Sequence, residues 1–260
     1  MGNVFASPSA KKMADMIKAC DHGSGVLCLY GNYGGDNMNF DMACEMVEMD
    51  DVETRTVRVK DDVASSPKET KEKRRGVAGM VYGFKVAGAA AERMMSLDEV
   101  AAVAEKALDN IRTMGVALSP CIVPQVGEPT FKIGDNEIEI GMGIHGEKGI
   151  EVRKMMTADE VAKTLVDRIT QDMPLTQGDE VSVLVNGLGA TPMEEQLIVY
   201  RCVHELLTEK GVKIIMPHIG EYATSMEMAG LSVTIFKLDE QLKELLTAPA
   251  KTPFYTNLNK

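Results

Sequence analysis

The strongest constraint on this chain is the alternation of short apolar runs with stretches whose apolar residues recur at helical spacing. Residues 26–30 are nearly all apolar, the pattern of a strand buried on both faces of a parallel sheet. Before them, Met13, Met16, Ile17 and Cys20 follow helical spacing. Ser7-Pro8 reads as the N-cap of that helix, with proline at its first position. After the strand, residues 31–36 open a helix that places Phe40, Ala43 and Val47 on one face. Residues 54–59 form the next strand, 60–75 a polar loop, and 76–91 a helix rich in small residues. Ser96-Leu97-Asp98-Glu99 is a capping box for a helix whose stripe is Leu97, Val100, Ala101, Ala104, Leu108 and Ile111.

The second half continues in the same way. Strands are predicted over 116–123, 137–142, 180–185, 212–216 and 231–238. Thr157-Ala158-Asp159-Glu160 is a second capping box. Thr191-Pro192-Met193-Glu194 combines an N-cap, a proline at the first helical position and a glutamate at the third, and its helix should end near Gly211. Strands alternating with helices predict an α/β fold. Helix gives way to strand near 113–117, so the expected division is an N-terminal α/β domain, 1–114, and a C-terminal α/β domain, 115–260. A chain of 260 residues, 45% hydrophobic, can bury one large core or two compact ones.

Composition excludes several function classes. A net charge of −11 repels phosphate backbones, so nucleic acid is not an expected partner. The one basic cluster, 68–75, includes Glu69 and Glu72 and reads as a solvated loop. No apolar run approaches the ~20 residues of a membrane span, and Met1 is followed by a polar stretch rather than a signal peptide. Cys20, Cys28, Cys44, Cys121 and Cys202 are scattered and read as reduced thiols, mostly in the core, which predicts a cytoplasmic protein. Most of the 19 methionines read as core filler. No ligand set has zinc spacing, so no metal is expected. The turn 187–191 lacks both a third glycine and a GK(S/T) ending, so no nucleotide site is expected there.

Two residues could carry chemistry. Asp36 follows a strand and starts a helix, where open α/β sheets place ligands; the same position equally suits a helix cap. His145 lies in Gly141-Met142-Gly143-Ile144-His145-Gly146-Glu147-Lys148-Gly149, an adaptable loop. An imidazole there can act as nucleophile or base, or can be a loop histidine without a role. His204 lies inside an amphipathic helix and reads as structural, and His22 sits in a helix-ending turn. The sequence assigns no role to His218.

Several segments, in order, resemble the substrate-binding (DhaK) domain of dihydroxyacetone kinases. They include Asn32-Tyr33-Gly34-Gly35-Asp36-Asn37-Met38-Asn39-Phe40, Arg74-Arg75-Gly76-Val77-Ala78-Gly79, Gly143-Ile144-His145-Gly146-Glu147 and Val185-Asn186-Gly187-Leu188-Gly189-Ala190-Thr191-Pro192. The resemblance covers nearly the whole chain. It implies two α/β domains with the substrate site between them. It implies that His145 attacks the ketone of dihydroxyacetone, or a similar small ketose, to form a hemiaminal. Asp36 would hydrogen-bond the substrate and help with proton transfer. The chain itself would hold no cofactor; ATP or ADP with Mg would sit on a separate nucleotide-binding kinase subunit. A homodimer is implied as well. The alternative role within the family is a non-catalytic, ketose-sensing co-activator.

Two departures qualify the resemblance. Family members begin with a further segment carrying a GGGSGHEP loop whose histidine is the general base, and this sequence starts after that point. The expectation is a separate chain supplying that segment, a truncation, or a chain that no longer catalyses. The family also has a lysine just before the Asn-Tyr pair, where this sequence has Gly31, which implies a different ketose or a weaker site.

Overall fold

The computed structural model describes residues 4–258; residues 1–3, where the expectation about a signal peptide begins, and 259–260 lie outside the described residues. The chain is α/β. Its N-terminal part pairs β1 (Val26–Gly31) with β2 (Thr54–Val59) in parallel. Helices α1 (Ala10–Cys20) and α2 (Gly34–Glu48) cover one face of this pair through Met13, Ile17, Cys28, Tyr30, Ala43 and Val47. Ser9, not Ser7, caps α1, because the Ser7 hydroxyl turns to the Pro8 carbonyl while Ser9 accepts from the Lys12 N–H.

The other face of the pair meets α3 (Met80–Glu92) and α4 (Leu97–Asp109), whose shared core reaches across the chain to Leu184, Phe236 and Leu246. The Ser96–Glu99 capping box forms as expected. The helix-to-strand passage comes earlier than 113–117. α4 ends at Asp109, and β3 (Ile111–Ala117) follows after one residue, with all seven of its residues buried. Ile111 fits the helical stripe in sequence, yet a fully buried strand carries the same apolar signal, and the sheet claims it.

β3 belongs to the main sheet. With β4 (Glu137–Ile140), β5 (Glu151–Lys154), β6 (Glu180–Gly187), β7 (Lys213–Ile214), β8 (His218–Gly220) and β9 (Gly230–Leu238), the order is β5-β4-β3-β9-β6-β7, with β8 also on β6. β9 runs antiparallel to both β3 and β6. β4 and β5 form an antiparallel hairpin whose connection, 141–150, is the His145 loop. Helices α5 (Ala158–Asp172) and α6 (Met193–Glu209) pack on one face; α7 (Glu240–Thr247) joins α3 on the other. The Thr157–Glu160 capping box also forms. Thr191 does not cap α6. Its hydroxyl donates to the Gly230 carbonyl at 2.7 Å, tying the turn to β9, and Pro192 takes the cap position.

Two expectations from composition are corrected. Met38, Met42, Met46 and Met49 line the outer side of α2 and are 39–87% exposed, because this helix buries little more than Ala43 and Val47. The basic run is not simply solvated. Lys68–Lys73 is an exposed 3₁₀ turn, but Arg74 is 1% exposed and pairs with Asp172 at the end of α5, which also binds Arg112 of β3. Of the five cysteines, Cys28, Cys121 and Cys202 are buried, Cys44 is half-buried, and Cys20 is exposed. No helix among the described residues is long and apolar enough to cross a membrane.

Candidate functional site

The His145 loop is fixed to the sheet at its base. Gly141 N–H donates to the Gly115 carbonyl of β3 at 2.7 Å, and Ile150 N–H to the Ile140 carbonyl at 2.8 Å. Within the loop, Gly143 N–H donates to the Glu147 carbonyl at 2.9 Å. The Ser225 hydroxyl donates to the Ile144 carbonyl. His145 is therefore held in a closed turn, with its side chain 29% exposed.

Glu147 sets the imidazole. Its Oε1 lies 2.9 Å from His145 Nδ1, and its Oε2 accepts from the His145 backbone N–H at 3.0 Å. Burial opposes the charge on Glu147, but the His145 side chain and the backbone N–H groups of the loop together outweigh it and hold the carboxyl below its ordinary range. When the ring is neutral, a carboxylate accepting at Nδ1 keeps the proton on that nitrogen. Nε2 then keeps its lone pair, which a nucleophile requires. Sequence reading singled out the histidine but gave Glu147 no role; its position two residues on, in the same tight loop, was the available signal.

Two aromatic edges flank the ring. The centroid of Phe5 lies 4.9 Å away and that of Tyr33 4.7 Å, at interplanar angles of 75° and 74°. Tyr33 precedes α2, and its hydroxyl donates to the Gly76 carbonyl at 2.9 Å. Burial pushes that hydroxyl up, so it remains a neutral donor. The neighbouring Asn32 donates to the carbonyls of Arg74 and Glu72, and Asn37 steadies Asn32 by donating to its Oδ1 at 2.9 Å. The segment after β1 thus organises the 72–76 turn and places an aromatic wall against His145.

Gly31 has a structural reason. A Cβ there would lie 3.1 Å from Tyr33 Cε2, and a Cβ on Gly76 would lie 2.6 Å from the Gly31 Cα and from the Val59 oxygen. The two glycines let the 72–76 turn sit directly against the ends of β1 and β2, and the Tyr33 ring occupies the space beside Gly31.

Arg75 joins this turn to the His145 loop. It pairs with Asp62 at 2.7 Å and donates to the Gly141 carbonyl at 3.0 Å. Burial pushes Asp62 up to about 6, against the pull of Arg75. Sequence reading placed Arg75 among solvated charges and missed this clamp.

Asp36 stands in the first turn of α2, three residues beyond Tyr33. It is half-buried, and it is not the cap, which is Tyr33. Its carboxylate makes no hydrogen bond or ion pair with a described residue, so it is available to a ligand. His145 and the segment carrying Asp36 are thus joined through Tyr33. His204 lies on α6, edge-on to Tyr200. His218 is buried on β8 among Tyr82, Tyr222 and Tyr255, away from the His145 ring contacts. Among the described residues, no group of three His, Cys, Asp or Glu side chains converges on a metal position.

Comparison with known proteins adds to this geometry. Residues 1–254 match the Dak1 domain. The PTS-dependent dihydroxyacetone kinase 1, dihydroxyacetone-binding subunit DhaK of Listeria innocua serovar 6a is 48% identical over 252 residues, covering 96% of this chain and 77% of that protein. The dihydroxyacetone kinase of C. freundii in complex with AMP-PNP and Mg2+ superposes with a TM-score of 0.89 at 31% identity, over 98% of this chain and 47% of that one. The dihydroxyacetone kinase operon co-activator Dha-DhaQ superposes equally well, with a TM-score of 0.89 at 28% identity, over 95% of this chain and 77% of that one.

Proposed function

Because the chain belongs to the Dak1 family, we propose that it is the substrate-binding subunit of a dihydroxyacetone kinase-type enzyme. In this reading it holds dihydroxyacetone, or a similar short ketose, on His145 while a separate nucleotide-binding subunit phosphorylates it. The observation that carries the proposal is the Glu147–Nδ1 contact, which leaves His145 Nε2 as a lone-pair donor in an aromatic-walled loop.

The chemistry is addition of an imidazole N–H across a ketone. Nε2 forms a bond to the carbonyl carbon, and the C=O π pair moves to oxygen. The ring gives up its proton at Nδ1, towards Glu147, and the oxygen gains one. Asp36, uncommitted in the first turn of α2, suits the relay to that oxygen and a hydrogen bond to the substrate. The ketose would lie between the segment bearing Tyr33 and Asp36 and the loop bearing His145. Covalent holding turns phosphorylation of a small, mobile sugar into a positioned reaction. It also selects ketones over glycerol, which has no carbonyl to add to.

The nucleotide, ATP or rephosphorylated ADP with Mg, belongs to the partner subunit. That this chain matches 47% of the C. freundii kinase supports a nucleotide module outside the matched part. The homodimer implied by the resemblance and the cytoplasmic location expected from the reduced cysteines belong to the same proposal.

The co-activator is the second reading, favoured by the equal superposition on Dha-DhaQ. The 48% identity with a kinase subunit outweighs it. The deciding experiment mixes the chain with a nucleotide-binding subunit and each donor, and follows dihydroxyacetone phosphate. Ketose bonded to Nε2 without any turnover would move the assignment to the co-activator. Ketose in a co-crystal with no bond to Nε2 would remove the covalent role.

Glu147→Gln is expected to lower turnover roughly 10–100-fold, as loss of a tautomer-fixing partner does elsewhere. The ¹⁵N spectrum of the imidazole should show the proton no longer fixed on Nδ1. An unchanged tautomer with unchanged turnover would remove Glu147 from the mechanism.

A further inference from the structure

A second feature has no part in that chemistry. α3, the region of β8 and residues 246–258 border a cavity of about 1030 Å³, large enough for a drug-sized ligand. Phe84, Tyr222 and Phe254 give it aromatic walls, and Phe84 and Phe254 remain 47% and 65% exposed at its edge.

Lys85 lines this cavity and is 8% exposed. Its Nζ donates to the Leu245 carbonyl at 2.7 Å. It makes no ion pair with a described residue. The other buried lysine and arginine side chains among the described residues, Arg74 and Arg112, share the carboxylate of Asp172. A buried cation is costly unless an anion meets it. Lys85 is thus a buried cation without its carboxylate, set beside an apolar space.

The groups around it leave that place open. His218 Nε2 and the Tyr255 hydroxyl share a hydrogen bond at 2.9 Å. Burial, with the Lys85 charge nearby, brings His218 down to about 4, so it adds no second cation. Burial brings Lys85 itself down to about 8, which leaves it charged at neutral pH. Of the remaining charged groups at the cavity, Arg93 is paired with Glu244, while Glu92 and Lys251 are exposed.

We propose that this cavity binds an amphipathic monocarboxylate, its carboxylate on Lys85 Nζ and its apolar chain along Phe84, Tyr222 and Phe254. This goes beyond the ketose chemistry and does not rest on it. Ile144, next to His145, also borders the cavity, so the ligand would lie beside the His145 loop.

The test is titration calorimetry of the full chain with decanoate and, separately, decanol. No ketose is present, so failure here is distinct from failure of the kinase reading. Decanoate should bind saturably and at least about tenfold more tightly than decanol, the scale of one charge-assisted hydrogen bond. Lys85→Gln should remove that preference, weakening decanoate about tenfold and leaving decanol unchanged. Phe254→Ala, at an exposed edge position that leaves the core intact, should weaken both ligands. Equal affinity for the two ligands in the unaltered chain, or no saturable decanoate binding, overturns the proposal. So does a Phe254→Ala variant that binds both as before, since binding would then lie elsewhere.

Discussion

His145→Ala is expected to abolish covalent ketose retention and to lower dihydroxyacetone phosphorylation by roughly a thousandfold or more, since fixed positioning can be worth far more than that. With [2-¹³C]dihydroxyacetone, the unaltered chain should move the C2 resonance from the ketone region to that of a tetrahedral carbon. The variant should leave it in the ketone region. Folding should hardly change. The side chain is 29% exposed and its one polar ring contact is to a half-exposed Glu147, so a loss within about 1 kcal/mol is expected from thermal unfolding. A variant that still shifted C2 would show that some other group forms the bond.

The second large effect falls on stability. Asp172→Ala should destabilise the chain by about 3–5 kcal/mol, because it leaves Arg74 and Arg112 buried without their anion. Denaturant unfolding should show the midpoint falling by the corresponding amount. The loss should exceed that of Arg74→Met, which still leaves Asp172 its Arg112 partner. Acid should expose the same interaction. Burial works against the Asp172 charge, yet hydrogen bonds from Arg74 and Arg112 prevail and hold the carboxyl down to about 2. An unfolded aspartate titrates near 3.9. The unfolded state therefore takes up this proton first as the pH falls. The stabilisation is complete above about 4 and is lost as the pH drops towards 2. Asp172→Ala should lack that portion of the acid slope, and a variant with an unchanged slope would contradict the assignment.

The parts of the fold legible in the sequence were those set by local chemistry. β2 is bounded by the same residues as its Thr/Arg–Val alternation, and both capping boxes close as written. Features decided by distant partners were hidden. Arg74 looks like one more charge in a basic run until its partner Asp172, far along the chain, is folded against it. Tyr33 looks like part of a turn, because only the meeting of the β1 end with the β4–β5 loop puts its ring on His145. The start of β3 was misplaced because a strand buried along its whole length offers no alternation to separate it from an apolar helix face. His145 was found through its glycine-rich surroundings and the resemblance of the ordered motifs. What the structure added was the reason for its orientation: one carboxylate, two residues on.

The central position of β9 also sets when this protein can be finished. Its neighbours on either side, β3 and β6, were translated long before it, with β3 registered Ile111 to Phe236. Until residues 230–238 leave the ribosome, both neighbours face a gap where their partner belongs. Such long-range pairing is slow and leaves strand edges open to other chains. The nascent chain, rather than the finished protein, is therefore where aggregation and chaperone dependence should concentrate. A nascent chain stalled with β9 still inside the exit tunnel should bind holdases strongly, and the chain released from the ribosome should not.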